Sequence, residues 1–451
     1  MSHHSLDIPA FAQAALDALE QDGHEAWLVG GFVRDSLMGR SVSDIDMATS
    51  ATWRDARAAF EGAGYATHET GVAHGTITVV IDGHAIEVTT FRIDGAYTDA
   101  RHPESVDFTS SITDDLARRD FTVNALAYHP HRGLLDPYGG AEDIERRLIR
   151  AVGDPRKRLS EDALRILRGC RFSSQLGFSI EEQTFRAMLE RKSAILSLSR
   201  ERVAHEIDLL ISGEHIRKAL LDCIDVLTAA IPELVAAKGF DQKSPFHMYD
   251  VLEHTAYVME EVPGEPLVRW AALLHDIGKP ASCFEIDGVR HFRGHPEIGI
   301  IIGREVLGRL GYSHTFTRKV LELVRLHDEH IAPTRKGVRR ALRELDGDTA
   351  LFVALCELKR ADALAKAPAY RERAETAAAL LDMLGRILID EEPFTRAGLA
   401  INGNDVIAAG VPAGPDVARA LDAALDAVID DEVPNSLPEL VAFVESWQCS
   451  R

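Results

Sequence analysis

The stretch Leu28-Val29-Gly30-Gly31-Phe32-Val33-Arg34-Asp35, followed nine residues after Asp35 by Asp44-Ile45-Asp46, constrains this chain more than any other. Ala26-Trp27-Leu28-Val29 reads as a short apolar strand closed by two glycines, and a helix begins after Gly31. Glycines at a strand-to-helix junction let backbone N–H groups approach a phosphate closely, and the helix N-terminus adds favourable potential. This singles out Gly30 and Gly31. Asp44 and Asp46 are two residues apart, so on a second strand both carboxylates face one side. Two hard oxygen ligands beside a phosphate-binding turn suit Mg2+ on the phosphates of a nucleoside triphosphate. In isolation the glycines would be a plain turn and the aspartates a solvated pair. Joined at this spacing, they point to nucleotidyl transfer.

Around that motif the first part of the chain reads as mixed α/β. The pattern predicts a helix over 8–19, a strand near 45–48, and a hairpin in which Asp82-Gly83 joins 76–81 to 84–90. From about Ala141 onward it turns helical, interrupted by a second Asp-Gly hairpin over 282–292, with boundaries near 136–140 and 239–240. Asp120 and Asn124 are four apart, so on a helix they share a face and can hold one ribose hydroxyl between acceptor and donor. Either alone would read as an N-cap or a surface amide. Asp162, Arg165, Arg168 and Arg171 recur every three residues as one polar helical stripe. Asp accepts from an exocyclic amino group and Arg donates to ring nitrogens and carbonyls, so the stripe can read a base edge; the alternative is a salt-bridged surface helix.

At 451 residues the chain has room for roughly three domains of about 150 residues. Its 46% apolar and 27% charged residues exclude a disordered or fibrous chain. No apolar run approaches the roughly 18 residues of a spanning helix, and Met-Ser-His-His-Ser-Leu-Asp is no secretory signal. Five scattered cysteines without a CxxC pair favour a reducing compartment, hence the cytoplasm. The net charge of −21 argues against a chain coated in nucleic acid. Basic residues nevertheless concentrate between Arg146 and Arg202, whereas Asp390-Glu391-Glu392 and Asp430-Asp431-Glu432 are acidic runs.

In order along the chain, the segments Gly30 to Asp46, Arg118 to Ala125, Asp136 to Gly140, Glu161 to Arg171 and Ser199 to Glu206 resemble the five motifs of class II tRNA nucleotidyltransferases, the CCA-adding enzyme family, related to bacterial poly(A) polymerases. The resemblance covers roughly residues 20 to 215. It implies Asp44 and Asp46 as ligands of catalytic Mg2+, Gly31 and Arg34 as triphosphate contacts, and Arg119, Asp120 and Asn124 near the ribose. It also implies that Asp162 and Arg165 select CTP or ATP, with Arg168 and Arg171 assisting at the phosphates or base. Members that add only CC lack a flexible loop between the first two motifs; residues 91–103 supply one here, which points to full CCA addition. Glu87, within Ile86-Glu87-Val88, is a candidate third carboxylate or else a core-facing structural residue.

Farther on, His-Asp after an apolar run puts imidazole and carboxylate at the end of a buried helix, a donor pair for a transition metal. His254, His275-Asp276 and Asp362 resemble the pattern of the HD phosphohydrolase superfamily, and His295 and His327 match the extra ligands of its two-metal members. The expected architecture is therefore an α/β nucleotidyltransferase head with a small mixed sheet and helices (1–140), an all-α neck for base selection and RNA binding (141–238), an HD domain (239–380) and a helical tail (381–451). The expected activity is template-independent CCA addition to tRNA from CTP and ATP, with Mg2+, no membrane association, and a transition metal and phosphohydrolase activity at the HD site. Competing readings are a poly(A) polymerase, an HD phosphohydrolase with an RNA-binding head, and a non-catalytic tRNA-binding protein. The last leaves Asp44 and Asp46 unexplained.

Overall fold

The computed structural model describes residues 6–42, 44–94 and 106–449 and divides into two compact units, Met1–Pro232 and Glu233–Arg451. The first unit begins with α1 (Ala10–Gln21), β1 (Ala26–Val29), α2 (Gly31–Leu37), β2 (Ile45–Thr49), α3 (Trp53–Gly62), β3 (Ala66–Gly71), β4 (Thr76–Ile81) and β5 (His84–Thr90). It continues through β6 (Arg92–Asp94), β7 (Val106–Phe108), α4 (Ile112–Ala117), β8 (Ala127–His129), β9 (Gly133–Leu135), α5 (Gly140–Glu145) and β10 (Leu148–Ile149). Helices then dominate: α6 (Pro155–Glu161), α7 (Leu164–Leu176), the short β11 (Ser179–Ile180), α8 (Glu182–Arg191), α9 (Arg200–Ile211) and α10 (Ile216–Leu227).

Among the described residues one sheet runs β3-β4-β5-β2-β1-β8-β9, with β2 and β5 parallel and the other neighbours antiparallel. The mixed sheet expected for the head is therefore present. Asp82 and Gly83 both take positive φ, 51° and 82°, which matches the twist of a two-residue hairpin. Beneath the sheet, Leu16, Leu28, Phe32, Met47, Phe60 and Ile77 pack with Phe121 and with Phe172 and Leu176 of α7 in one core. Burial of this apolar surface is the main force holding α7 against the sheet.

The second unit holds α11 (Val251–Glu261), α12 (Pro266–Leu274), α13 (Lys279–Ser282), the hairpin β12 (Phe284–Ile286) and β13 (Val289–His291), α14 (His295–Leu310) and α15 (His314–Leu326). After these come α16 (Arg335–Glu344), α17 (Thr349–Leu364), α18 (Arg373–Ile389), α19 (Gly403–Ala408), α20 (Pro415–Ile429) and α21 (Leu437–Cys449). The acidic runs near its end are not free polyanion-repelling faces: Arg335 pairs with Asp390 and Glu392, Arg339 with Asp431, and Arg340 and Lys336 with Asp430. No helix among the described residues is long and apolar enough to cross a membrane. Of the loop residues 91–103, those from 95 onward lie outside the described residues.

Candidate nucleotide cleft and metal centre

Sheet register brings the first motif together. Val29, which precedes the Gly30 turn, pairs with Asp46, and Asp46 pairs in turn with Glu87 of β5. Ile45, Met47, Ile86 and Val88 point into the core, so Asp46 and Glu87 share the opposite, exposed face. Glu87 is thus not core-facing. Asp44, expected on the same strand, lies just before it. On the β1 side its partner would fall at Gly31, which already belongs to α2, so that ladder ends at Asp46, while the β5 ladder runs on to Ile45. The protein around Asp46 raises its carboxyl above the usual value; Arg119 opposes this, and Glu87 and Asp44 add to it.

Asp44 and Asp46 face a cleft of about 670 Å³ that is also lined by Gly30, Gly31, Arg34, Arg119, Asp120, Asn124, Asp162, Arg165, Arg168 and Arg171. Gly30 has φ +67° and ψ −125°, a conformation costly for any side chain, and a Cβ there would stand 2.9 Å from Arg119 Nη1. Arg34 donates to both carboxylate oxygens of Asp35, at 2.9 and 2.8 Å, and to Asn124 Oδ1 at 2.6 Å. Asp120 accepts from Asn124 Nδ2 at 3.2 Å and from Arg168 Nε at 2.7 Å. Burial alone would raise the Asp120 carboxyl, but Arg168, the Asn124 amide and Arg165 hold it well below the usual range. Asp120 and Asn124 meet across a 3-10 turn (Thr122–Asn124) rather than along an α-helix, because α4 already ends at Ala117.

The polar stripe is also broken at its start. Asp162 is extended, with φ −140° and ψ 113°, and its Oδ1 accepts from Leu164 N at 2.9 Å, so it stands before α7 instead of on it. Its Oδ2 accepts from Arg202 Nη2 at 3.0 Å. Arg165 is buried and donates to Glu161 at 2.6 Å and to the carbonyls of Arg158 and Arg118 at 3.0 and 2.9 Å. Arg171 pairs with Glu206 at 3.2 Å. Sequence reasoning did not single out Arg202 or Phe172, both on the cleft wall. Arg202 stands inside the Ser199–Glu206 segment, but charge alone does not separate it from the exposed Arg200 two residues earlier.

In the second unit, six predicted residues converge from four helices and the turn after α12. His254 comes from α11, His275 and Asp276 follow α12, His295 opens α14, His327 closes α15 and Asp362 lies on α17. All six are buried. Asp276 sits at the centre: Oδ2 is 3.4 Å from His254 Nε2 and 3.2 Å from His275 Nε2, while Oδ1 is 3.4 Å from His295 Nε2 and 3.8 Å from His327 Nε2. Asp362 Oδ1 lies 3.1 Å from His254 Nε2. His275, His295 and His327 donate from Nδ1 to the carbonyls of Ala272, Phe292 and Val324, which turns each Nε2 lone pair inward. His275 Nε2 is a buried atom without a hydrogen-bond partner among the described residues, and the His295 and His327 Nε2 atoms face each other at 3.2 Å. Such a donor set fits two divalent metals sharing Asp276. Burial lowers the His254 and His327 imidazoles, favouring the neutral form a metal needs, whereas at His275 the Asp276 and Asp362 carboxylates outweigh burial and raise it. Lys279 and Lys366, which sequence reading also passed over, pair with Asp276 and Asp362 at 2.7 and 2.6 Å. Gly278 is obligatory packing: a Cβ there would collide with the His295 carbonyl oxygen.

Residues 26–150 match the poly A polymerase head domain, 177–237 the probable RNA and SrmB-binding site of polymerase A, and 246–367 the HD domain. The class is therefore a nucleotidyltransferase head joined to an HD domain. The CCA-adding enzyme of Geobacillus thermodenitrificans is 35% identical over 97% of both chains, and that of Geobacillus stearothermophilus 33% identical, also over 97% of both. Over 228 residues, 50% of this chain and 56% of its relative, identity to the CCA-adding enzyme of Anoxybacillus flavithermus is 42%. The crystal structure of the Bacillus stearothermophilus CCA-adding enzyme in complex with CTP superposes with a TM-score of 0.73 at 30% identity, covering 98% of each chain. A Thermotoga maritima CCA-adding enzyme complexed with tRNA gives 0.58 at 19% identity, over 98% and 97% of the two chains, a likeness of fold alone. The chain belongs to the CCA-adding enzyme family.

Proposed function

We propose that this protein adds CCA to the 3′ end of tRNA, using CTP and ATP and releasing pyrophosphate. What supports this reading is the cleft itself, where Asp44 and Asp46 stand opposite an arginine-lined wall and beside the Gly30-Gly31 turn. Asp44 and Asp46, with Glu87 as third carboxylate, would hold Mg2+, a fit for their hard oxygen donors. Bound there, Mg2+ supplies charge neutralisation and a lowered pKa for the attacking 3′-OH. The 3′-OH forms the new bond to the α-phosphorus as the bond to pyrophosphate breaks. Gly31 and Arg34 hold the triphosphate, Arg119, Asp120 and Asn124 set the ribose, and Asp162 and Arg165 read the base, assisted by Arg168 and Arg171. Because Arg165 is pinned by three neighbouring oxygen atoms, it presents a fixed donor geometry to the base.

The domains follow the motifs: head 1–140, neck 141–238, HD domain 239–380 and tail 381–451, working in the cytoplasm. His254, His275, Asp276, His295, His327 and Asp362 hold transition metal ions and give the HD domain a phosphohydrolase activity of its own. A poly(A) polymerase is the disfavoured alternative. Incubating the protein with a tRNA transcript ending before its CCA separates them by product length. Two additions with CTP alone, and a third only when ATP joins, are expected; a long ladder with ATP alone would overturn the reading.

A further inference from the structure

Phe172 is an aromatic residue of the cleft whose role neither the motif spacing nor the nucleotide chemistry assigns. It is 5% exposed and lies on α7, in a T-shaped contact with Phe121 at 5.9 Å between ring centroids. Three guanidinium groups surround its ring: Arg171 at 4.3 Å, Arg168 at 5.3 Å and Arg34 at 5.5 Å from the centroid. Each lies within the roughly 6 Å at which a cation is attracted by an aromatic face. These arginines come from two places. Arg34 belongs to α2, next to the Gly30 turn, whereas Arg168 and Arg171 belong to the helix that follows Asp162.

We propose that Phe172 is a positioning residue for nucleotide binding, its ring fixing the triphosphate arginine Arg34 in register with the arginines of α7. The polar partners supply only part of this link: Asn124 and Asp120 join Arg34 to Arg168, whereas Asp35 holds Arg34 alone and Glu206 pairs with Arg171. Among the described residues, the ring is the one side chain that meets Arg171 together with Arg168 and Arg34. Like-charged guanidiniums converging on one site repel, and a negative π face between them offsets that repulsion without giving a fixed anion that would compete with the incoming triphosphate. The inference rests on the reading that this cleft binds CTP and ATP.

The test compares Phe172→Leu, which keeps an apolar side chain in the core, with Phe172→Tyr and Phe172→Trp, which keep a π face. CTP binding is measured by calorimetry and single-nucleotide addition by KM and kcat, with thermal melting as a check of folding. Phe172→Leu should weaken CTP binding and raise KM roughly tenfold with kcat changed less than about threefold, and Phe172→Tyr should restore both. If Phe172→Leu does not fold, Phe172→Met takes its place, and Phe172→Tyr must still bind CTP like the parent. Equal CTP affinity in the leucine or methionine variant and the parent overturns the proposal, as does a tyrosine variant as impaired as leucine. Failure of the parent itself to bind CTP would instead sink the nucleotide reading of the cleft.

Discussion

Gly30→Ala tests how the turn between β1 and α2 works. At φ +67° and ψ −125° the backbone lies where only glycine is comfortable, and forcing alanine to hold it costs about 1–3 kcal/mol. The steric part is smaller. The new Cβ would meet Arg119 Nη1 at 2.9 Å, and that atom is the far end of a flexible side chain that can swing aside. The swing loosens the 3.4 Å contact of Arg119 Nη1 with the Asn124 carbonyl and the 3.3 Å pairing of Nη2 with Asp115. A unit of this size loses roughly 2–4 °C per kcal/mol, so its melting temperature should fall by about 2–12 °C. Calorimetric melting reads the backbone cost, and steady-state KM for CTP reads the displacement of Arg119, which should raise it. A variant that melts with the parent and keeps its KM would refute both the strain and the placement of Arg119.

The Asp120–Arg168 pair makes acid stability predictable. Because the folded Asp120 carboxyl is held below its unfolded value of about 3.9, its contribution is complete above that pH and is lost as the pH falls through the folded value. Asp120→Asn should therefore destabilise most at neutral pH, with the gap to the parent narrowing below about pH 4; chemical denaturation showing a constant gap from pH 7 to 3 would contradict this. Asp276→Asn removes the carboxylate shared by both histidine pairs, so metal analysis after dialysis against Mn2+ or Ni2+ should show a loss of bound metal while nucleotide addition persists. Arg339 is 4% exposed and donates to the buried Val428 and Ile429 carbonyls as well as to the exposed Asp431, so Arg339→Met, which leaves those carbonyls unsatisfied, should cost about 1–3 kcal/mol and speed hydrogen exchange in α20. Unaltered exchange there would show that the Arg339 hydrogen bonds are not what tie α16 to α20.

Local sequence carried much of the fold. Strand β1 with its glycine turn, and both Asp-Gly hairpins, follow from backbone preferences that need no distant partner: Asp287 and Gly288, like Asp82 and Gly83, take positive φ. Tertiary pairing decided what spacing could not. Asp44 lies just before its strand, at the level where β1 has already given way to α2, while the i, i+4 pair Asp120 and Asn124 meets through a turn because the helix before it stops short. The direction of Glu87 is fixed by its register against Asp46, which depends on a parallel pairing across forty residues of chain. Likewise Arg202 meets Asp162, and Phe172 meets Arg34, only when distant segments come together, so charge or aromaticity at those positions carries no signal by itself, whereas Lys366 pairs with Asp362 four residues earlier.

The central claim is that the carboxylates beside the Gly30-Gly31 turn carry out nucleotide addition. Its most direct test is product length on a tRNA transcript lacking CCA, comparing the parent with the Asp44→Ala, Asp46→Ala double variant after melting and tRNA-binding checks. The account predicts CC from CTP alone and CCA with ATP for the parent, and no extension for the folded, tRNA-binding variant. Extension by the variant at a rate near the parent's would place the chemistry elsewhere and contradict the account.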